Sequence, residues 1–244
     1  SLVNYLKINT NFLSTSYFKY SIMKKIGILA PHKLDEKLGN VHKLNFWCSE
    51  FVENTGSALP FIIPTNIKNI DYYVDFFDGF IIPGWNDIDP TLYWETHLWS
   101  VETIKEHDDF LLSFLEKAVA SQKPILWICK WLQIINVFFE GTLHQDIPNH
   151  MNFVEKDCWV HHVELENDSF LYDIFQTHTL EVNSIHHQCI KTLGKDLKIL
   201  ARSKEDEIIE AIEHKSQPIF AIQWHPEYML EHQKIFDWFI KKIK

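Results

Sequence analysis

Apolar and polar positions alternate in blocks that predict strands and helices in turn along the first half of the chain. Short apolar runs predict strands over residues 23–30, 59–64, 78–84 and 125–128. Apolar residues at helical spacing predict helices over residues 41–55, 108–120 and 130–137. Strands that alternate with helices indicate βαβ units, and therefore an α/β fold with a mainly parallel central sheet and helices on both faces.

The second half has a different pattern, because short β-like segments dominate it from about residue 152 onward. We expect extra short strands over residues 158–165, 179–183, 197–201, 208–213 and 218–223, and a final helix over 229–243. Neither a repeat nor a Gly/Ser-rich linker divides the chain, so residues 23–244 are predicted to form a single domain. Residues 1–22 show no clear period and are interpreted as an N-terminal tail that need not be native, with Met23 as a candidate natural initiator.

Cys129 stands where the fourth predicted strand turns into an amphipathic helix. A thiol at this place meets free backbone N–H groups and the positive end of the helix dipole, and both favour the thiolate. The arrangement resembles a nucleophile elbow. A buried structural cysteine is the alternative, and this stretch alone leaves both interpretations open.

A second candidate for chemistry follows the apolar strand that ends near residue 222. His225 and Glu227 are two residues apart, so in an extended chain they point to the same face, and Pro226 restrains the backbone between them. A carboxylate beside an imidazole can hold its tautomer and stabilise the imidazolium. Together the three residues could act as a nucleophile (Cys129), a base (His225) and a group that orients the base (Glu227).

Composition narrows the function classes. The chain has 244 residues, 46% of them hydrophobic, and a formal net charge of −10, which argues against nucleic acid or an anionic membrane surface as a partner. The cysteines are widely separated, so neither a disulfide framework nor a zinc site is predicted from them, and a reducing cytoplasm is the expected location. The longest apolar run, residues 125–139, is interrupted by polar residues and is too short to cross a bilayer.

Five separated motifs occur in an order that resembles one family. They are Pro83-Gly84, the elbow at Ile128-Cys129 with Gln133, the stretch 141–146, the stretch 182–188 and His225-Pro226-Glu227. Together they resemble class I glutamine amidotransferase-like hydrolases, most closely the gamma-glutamyl-gamma-aminobutyrate hydrolase subgroup, peptidase C26. The resemblance covers residues 23–244 and implies a flavodoxin-like fold.

The resemblance also implies a mechanism and a set of site residues. Cys129, His225 and Glu227 would form a triad that cleaves a γ-glutamyl amide of a small molecule, such as γ-glutamyl-γ-aminobutyrate or glutamine, through a thioester that water hydrolyses. The oxyanion would be stabilised by the backbone N–H groups of Trp85 and Lys130. The expected substrate contacts are Gln133, Asn183, His186, His187 and Gln188, although the polar loop 183–188 could instead satisfy only its own backbone. No metal or organic cofactor is implied, and the sequence leaves both a monomer and a homo-oligomer open.

The chain departs from the family pattern at several glycine positions. Tryptophan replaces the usual glycine at 85, 94, 127 and 131, and glutamate replaces it at 140 and 207. Trp127 and Trp131 flank the nucleophile, and overpacking there is expected to cost about 1–3 kcal/mol and to distort the elbow. Three explanations stay open: an active hydrolase with a reshaped pocket, an inactive family member that serves as a binding module, or a glycine codon translated as tryptophan. A glutaminase subunit that supplies ammonia to a separate synthase is a further alternative.

Overall fold

A computed structural model of the chain describes residues 23–35, 37–65, 68–84, 86–151, 153–154, 157–158 and 160–244. The predicted tail, residues 1–22, lies outside the described residues, and so does Trp85. None of the helices in the described ranges is both long and apolar enough to cross a membrane.

Strands and helices alternate through the first half, as the apolar pattern predicts. The strands are β1 (Lys24–Ala30), β2 (His32–Asp35), β3 (Gly39–His42), β4 (Ala58–Pro64), β5 (Gly79–Pro83) and β6 (Ile125–Ile128). The helices are α1 (Trp47–Asn54), α2 (Ile70–Phe76), α3 (Lys105–Ala120) and α4 (Lys130–Phe138), with a short 3-10 helix at Pro90–Tyr93. The helix predicted over 41–55 is wrong at its start, because Gly39 adopts a φ of 74° and turns the chain into a β2–β3 hairpin.

Short strands dominate the second half. They are β7 (Thr142–His144), β8 (Phe153–Val154), β9 (Asp157–Cys158), β10 (Val160–Leu165), β11 (Thr179–Asn183), β12 (Cys189–Thr192), β13 (Leu197–Ser203), β14 (Ile209–His214) and β15 (Ile219–Ile222). Helix α5 (Phe170–Phe175) lies among them, and helix α6 (Gln233–Lys242) closes the chain. The predicted helix 229–243 is therefore confirmed over its main part, while its first turn is a 3-10 helix at Leu230–His232.

Within the described residues, nine strands form one sheet in the order β11-β10-β13-β14-β15-β6-β5-β1-β4. The strands from β15 to β4 are parallel, and those from β11 to β15 pair antiparallel. Helices α3 and α4 contribute to a core cluster on one face, and helices α1 and α6 contribute to the cluster on the other. The predicted α/β sheet covered on both faces is confirmed. Strand β6 lies between β15 and β5, so its carboxyl end has a parallel strand on each side.

The two tryptophans beside the nucleophile lie on the face of the sheet opposite its sulfur. Trp127 and Trp131 belong to the core cluster under α3 and α4, whereas Cys129 belongs to the other cluster. Their rings lie 5.4 Å apart at an angle of 47°, and both side chains are fully buried. The two indoles therefore do not lie across the thiol. Neither indole Nε1 has a hydrogen-bond partner among the described residues, an arrangement that costs roughly 1–3 kcal/mol for each buried N–H.

Three of the other positions where the resemblance expects glycine have left-handed backbone. The φ angles are 60° at Trp94, 67° at Glu140 and 64° at Glu207. Side chains with a Cβ adopt this region at a cost, whereas glycine adopts it freely. The backbone thus keeps the conformation that the family's glycines allow, even though the chain carries other residues there.

Replacing Trp94 with glycine is expected to stabilise the protein by roughly 0.5–1 kcal/mol, because it removes left-handed strain. The indole is 76% exposed, so little packing is lost. Trp99→Gly is the matched control, because Trp99 is 67% exposed and does not have a positive φ. Glycine at this position relieves no strain and only raises the entropy of the unfolded chain, so it should destabilise the protein. Urea unfolding measures both variants. A fall in the midpoint of W94G as large as that of W99G would contradict the strain argument.

Candidate active site

Cys129 forms the turn between β6 and α4, as the sequence predicts, and its backbone is strained. It has φ 60° and ψ −116°, a combination that residues other than glycine rarely adopt. Its N–H donates to the carbonyl of Ile222 on β15 at 2.8 Å, and the N–H of Gly84 donates to the carbonyl of Ile128 at 3.1 Å. The turn is therefore held from both neighbouring strands. Strain at such a turn lifts the nucleophile above the end of the sheet in nucleophile elbows.

Gly84 brings the end of β5 against the first residue of α4. A Cβ on Gly84 would lie 2.7 Å from the backbone nitrogen of Lys130 and would collide with its side chain. Only glycine permits this approach. The Lys130 N–H belongs to the first turn of the helix, where no intrahelical carbonyl can accept from it. The Pro83-Gly84 turn and the Lys130 N–H are thus neighbours, as predicted, while the predicted second oxyanion donor, Trp85, lies outside the described residues.

His225 and Glu227 are joined by a hydrogen bond of 2.8 Å between Nδ1 and Oε1, and both are buried. Their proximity was predicted for an extended chain, but that geometry is wrong. Pro226 begins a 3-10 turn that runs to Tyr228, with extended backbone only at His225. Asn183 fixes the histidine from β11, because its Oδ1 accepts from the His225 N–H at 2.9 Å and its Nδ2 donates to the His225 carbonyl at 2.7 Å. Asn183 thus contacts the backbone of His225, and a contact with substrate stays a prediction.

The charges around His225 favour its imidazolium form. Burial lowers the pKa of His225, but the Glu227 carboxylate and the Cys129 sulfur outweigh it and raise the pKa well above its ordinary value. The sulfur also lies 3.7 Å from the Ile185 carbonyl and 3.7 Å from the Gln223 Nε2, which donates to it. The triad of Cys129, His225 and Glu227 stays a prediction, in which the bonded pair of His225 and Glu227 is the part that a printed distance supports.

A cavity of about 340 Å³ opens at Cys129. Of the predicted site residues, its lining contains Cys129, Lys130, Gln133, His186, His187 and Gln188. His225, Glu227 and Asn183 are buried and do not belong to this lining. A larger cavity of about 600 Å³, lined by Lys123 and Lys215 among others, lies away from all three of the triad candidates. The chemistry selects the smaller cavity, whose size suits a small molecule.

The amide side chains at the cavity are held by the protein itself. Gln133 Nε2 donates to the Gln188 carbonyl at 2.9 Å and to the Gln223 Oε1 at 3.2 Å. Gln188 accepts from the Ile88 N–H at 3.3 Å and donates to the Ser100 hydroxyl at 2.8 Å. These bonds tie the loops around the cavity to helix α4. Substrate contact by Gln133 and Gln188 stays a prediction.

The cavity rim combines charges of both signs. His187 Nε2 lies 2.9 Å from the Asp87 Oδ2, and this bond raises the pKa of His187 although partial burial opposes it. Lys130 Nζ is buried and bonds Asp108 at 2.9 Å and the Asp87 carbonyl at 2.9 Å. Asp87 also accepts from the Val101 N–H at 2.7 Å, so its carboxylate joins two loops at the rim.

The cavity lining also contains residues that the sequence did not predict for the site. They are Lys33, Asn86, Asp87, Val101, Glu102, Met151 and Ile185. Lys33 lies on the hairpin strand β2, which the sequence pattern does not reveal. Glu102 has a φ of 51°, so its backbone is strained at the edge of the cavity. Asn86 and Asp87 had a sequence signal, because they follow the Pro-Gly turn at the carboxyl end of β5.

The fold and the position of this site define a class I glutamine amidotransferase architecture. A solved structure of a GMP synthase component from Thermoplasma acidophilum has a TM-score of 0.65 and 18% identity over 90% of this chain and 93% of that chain. At that identity the likeness shows the fold alone. The family profile of Peptidase C26 matches residues 26–227. The chain belongs to the Peptidase C26 family, which is a family of hydrolases.

Relatives of known sequence agree with this assignment. The glutamine amidotransferase-like protein YvdE of Lactococcus lactis is 36% identical over 200 residues, which cover 76% of this chain and 81% of YvdE. Gamma-glutamyl-CDP-amidate hydrolase of Campylobacter jejuni is 28% identical over 65% of this chain and 66% of that protein. Gamma-glutamyl-gamma-aminobutyrate hydrolase of Escherichia coli O157:H7 is 26% identical over 70% of this chain and 73% of that protein.

Proposed function

We propose that this protein is a cysteine hydrolase that cleaves the γ-glutamyl amide bond of a small molecule through a thioester. The observation that carries the proposal is the position of Cys129. Its thiol stands on a strained turn at a helix N-terminus, beside the bonded pair of His225 and Glu227, and opens into a cavity of about 340 Å³. The names of two relatives, both γ-glutamyl hydrolases, support the substrate class.

The first half of the reaction forms the thioester. The Cys129 thiolate attacks the γ-carbonyl carbon, and the resulting oxyanion accepts from the Lys130 N–H at the start of α4. His225, held as imidazolium by Glu227, gives its proton to the leaving amine as the C–N bond breaks. In the second half, neutral His225 takes a proton from water, which attacks the thioester and releases glutamate and the thiolate.

The charges at the rim suit a free glutamyl group, which carries an ammonium and a carboxylate on one carbon. Glu102 and Asp87 offer negative charge for the ammonium, and Lys33 and His187 offer positive charge for the carboxylate. Trp127 and Trp131 are absent from the cavity lining, so the indoles do not occupy the space above the thiol. This arrangement supports an active hydrolase rather than an inactive binding module.

The proposal is tested by incubating the protein with glutamine, with γ-glutamyl-γ-aminobutyrate and with an α-linked glutamyl amide as the comparison. We expect glutamate release from the γ-linked compounds only. Added hydroxylamine should divert the thioester to γ-glutamyl hydroxamate, which glutamate assays and mass spectrometry separate. Cys129→Ala is the blank, and Cys48→Ala, a change of another buried cysteine, is the matched control. Equal glutamate release by the native protein and Cys129→Ala would refute the proposal.

A further inference from the structure

Four buried side chains from separate parts of the chain meet next to the cavity, and none of them has a role in the proposed chemical steps. They are His150, His161 on β10, His186 and Glu210 on β14, which are 3%, 4%, 4% and 0% exposed. His186 also lines the cavity, so the cluster adjoins the cavity that contains Cys129. A carboxylate buried among three imidazoles requires a compensating positive charge.

The contacts within the cluster are longer than charge-assisted hydrogen bonds. Oε1 of Glu210 lies 3.4 Å from Nε2 of His186 and 3.5 Å from Nε2 of His161. A charge-assisted N–H···O bond would be about 2.7–2.9 Å long. Neither carboxylate oxygen of Glu210 has a hydrogen-bond partner among the described residues, and the same holds for Nε2 of His186. These buried polar atoms are aimed at one another across a gap.

The gap has the dimensions of a tetrahedral metal site. One ligand atom each from His150, His186 and Glu210 can be chosen so that all lie within 4.8 Å of one another. With Zn–N and Zn–O bonds of about 2.0–2.2 Å, neighbouring ligand atoms of a tetrahedron lie about 3.4 Å apart. The distance from Glu210 to His186 matches that value.

The outer nitrogens of two of the histidines have the partners that metal-bound histidines have. Nδ1 of His186 lies 3.1 Å from the Gln188 carbonyl, which only accepts, so Nε2 presents its lone pair toward Glu210. Nε2 of His150 lies 2.9 Å from an Asp206 carboxylate oxygen, which makes Nδ1 the unprotonated nitrogen. Nδ1 now faces the Ser184 hydroxyl at 2.9 Å, but that hydroxyl also has the His150 carbonyl at 3.1 Å as an alternative acceptor. Carboxylates and carbonyls in these outer positions orient histidine ligands.

We propose that His150, His186 and Glu210 bind a divalent transition-metal ion of the Zn²⁺ class. Imidazole and carboxylate ligands suit such ions, and three protein ligands leave the fourth position of the tetrahedron to a water molecule. The ion fastens the loop between β11 and β12 to β14 and to the segment that carries His150. That loop places the Ile185 carbonyl against the Cys129 sulfur, so the ion stabilises one wall of the cavity. The family resemblance implies no metal, and the proposal departs from it on the geometry of these three residues.

The test measures metal content and binding rather than activity. Protein purified without chelator and without a metal-binding tag is analysed by elemental mass spectrometry, then stripped with EDTA and titrated with Zn²⁺ in a calorimeter. We expect about one equivalent per chain and a rise in Tm of roughly 4 °C or more at saturating Zn²⁺. Less than about 0.1 equivalent, together with no heat and no change in Tm, would overturn the proposal.

Variants locate the ion. Glu210→Gln and His150→Ala are expected to weaken Zn²⁺ binding at least about tenfold. The matched control is His162→Ala, because His162 neighbours His161 on β10 but has a side chain that is 51% exposed. Titration of Cys129→Ala, which should bind normally, separates this site from zinc on the thiol. If circular dichroism shows that Glu210→Gln does not fold, the Zn²⁺ affinity of His150→Ala decides the test. Native affinity in His150→Ala, or loss of binding in Cys129→Ala, would overturn the proposal.

Discussion

Replacing His225 with glutamine is expected to lower kcat/KM for γ-glutamyl amides by about 10³-fold, within the range known for general acid–base residues. The imidazole is the group that can protonate the leaving amine and take a proton from water. It also supplies the positive charge that faces the Cys129 sulfur, since these two groups interact strongly enough to raise the pKa of His225. Glutamine fills similar space but carries neither a transferable proton nor a charge.

Two measurements separate this role from a structural one. The rate of glutamate release gives kcat/KM, and the rate of Cys129 alkylation by iodoacetamide near neutral pH reports the thiolate, so both should fall. His232→Gln is the matched control, because His232 is also buried and burial lowers its pKa to about 4, so it is neutral. It accepts a hydrogen bond from Trp224 at 3.2 Å and lies outside the cavity lining, so its replacement should lower stability while kcat/KM stays within about twofold. Activity of H225Q within about tenfold of the native value would contradict the assignment.

Replacing Glu227 with glutamine is expected to lower kcat/KM by roughly 10²-fold and to move the alkaline limb of the pH profile to lower pH. The competent state pairs a thiolate with an imidazolium, so activity falls as the imidazolium loses its proton. In the native protein burial lowers the pKa of His225, and Glu227 is the first group that opposes it. Without the carboxylate, burial is less opposed and the proton leaves at lower pH.

The same substitution has a consequence for stability. Because the pKa of His225 is higher in the folded protein than in the unfolded chain, its protonation stabilises the fold. This stabilisation is fully present below the pKa of the unfolded state, about 6.5, and is lost as the pH rises through the pKa of the folded state. E227Q should therefore lose stability more at pH 6 than at alkaline pH. Glu231→Gln, the same change at an exposed position nearby, is the control for both measurements. An unchanged alkaline limb in E227Q would contradict the proposed role of the carboxylate.

Local patterns were enough to predict the elements that carry the candidate triad. The strand ending at Ile128 and the helix beginning at Lys130 follow from a short apolar run and a helical period, so the turn at Cys129 was predictable. His225 and Glu227 were paired correctly because they are only two residues apart. The backbone conformation that pairs them was predicted wrongly as an extended chain, since Pro226 begins a 3-10 turn that periodicity does not reveal.

Errors concentrate where tertiary contacts override local preference. Leu44 and Phe46 gave the stretch before Trp47 a helical pattern, but the chain uses the left-handed turn at Gly39 to form a hairpin, and Phe46 is 67% exposed. Trp127 and Trp131 were expected to crowd the elbow, but their indoles pack on the face of the sheet opposite the Cys129 sulfur. Side chains at alternate positions of β6 point to opposite faces, so Trp127 lies in the core under α4 while Ile128 joins the core on the other face.

The sequence by itself determined the α/β architecture and the family, because both rest on short-range spacing or on motifs that keep their order, and it predicted the three residues of the candidate triad. Only the tertiary structure decided which side of the sheet the tryptophans fill, how Asn183 holds His225, and which loops enclose the cavity. It alone assembled His150, His186 and Glu210, whose positions in the chain have no metal-binding spacing. Glu210 lies on β14 and the two histidines lie in loops, so the cluster depends on how distant segments pack together rather than on any local pattern.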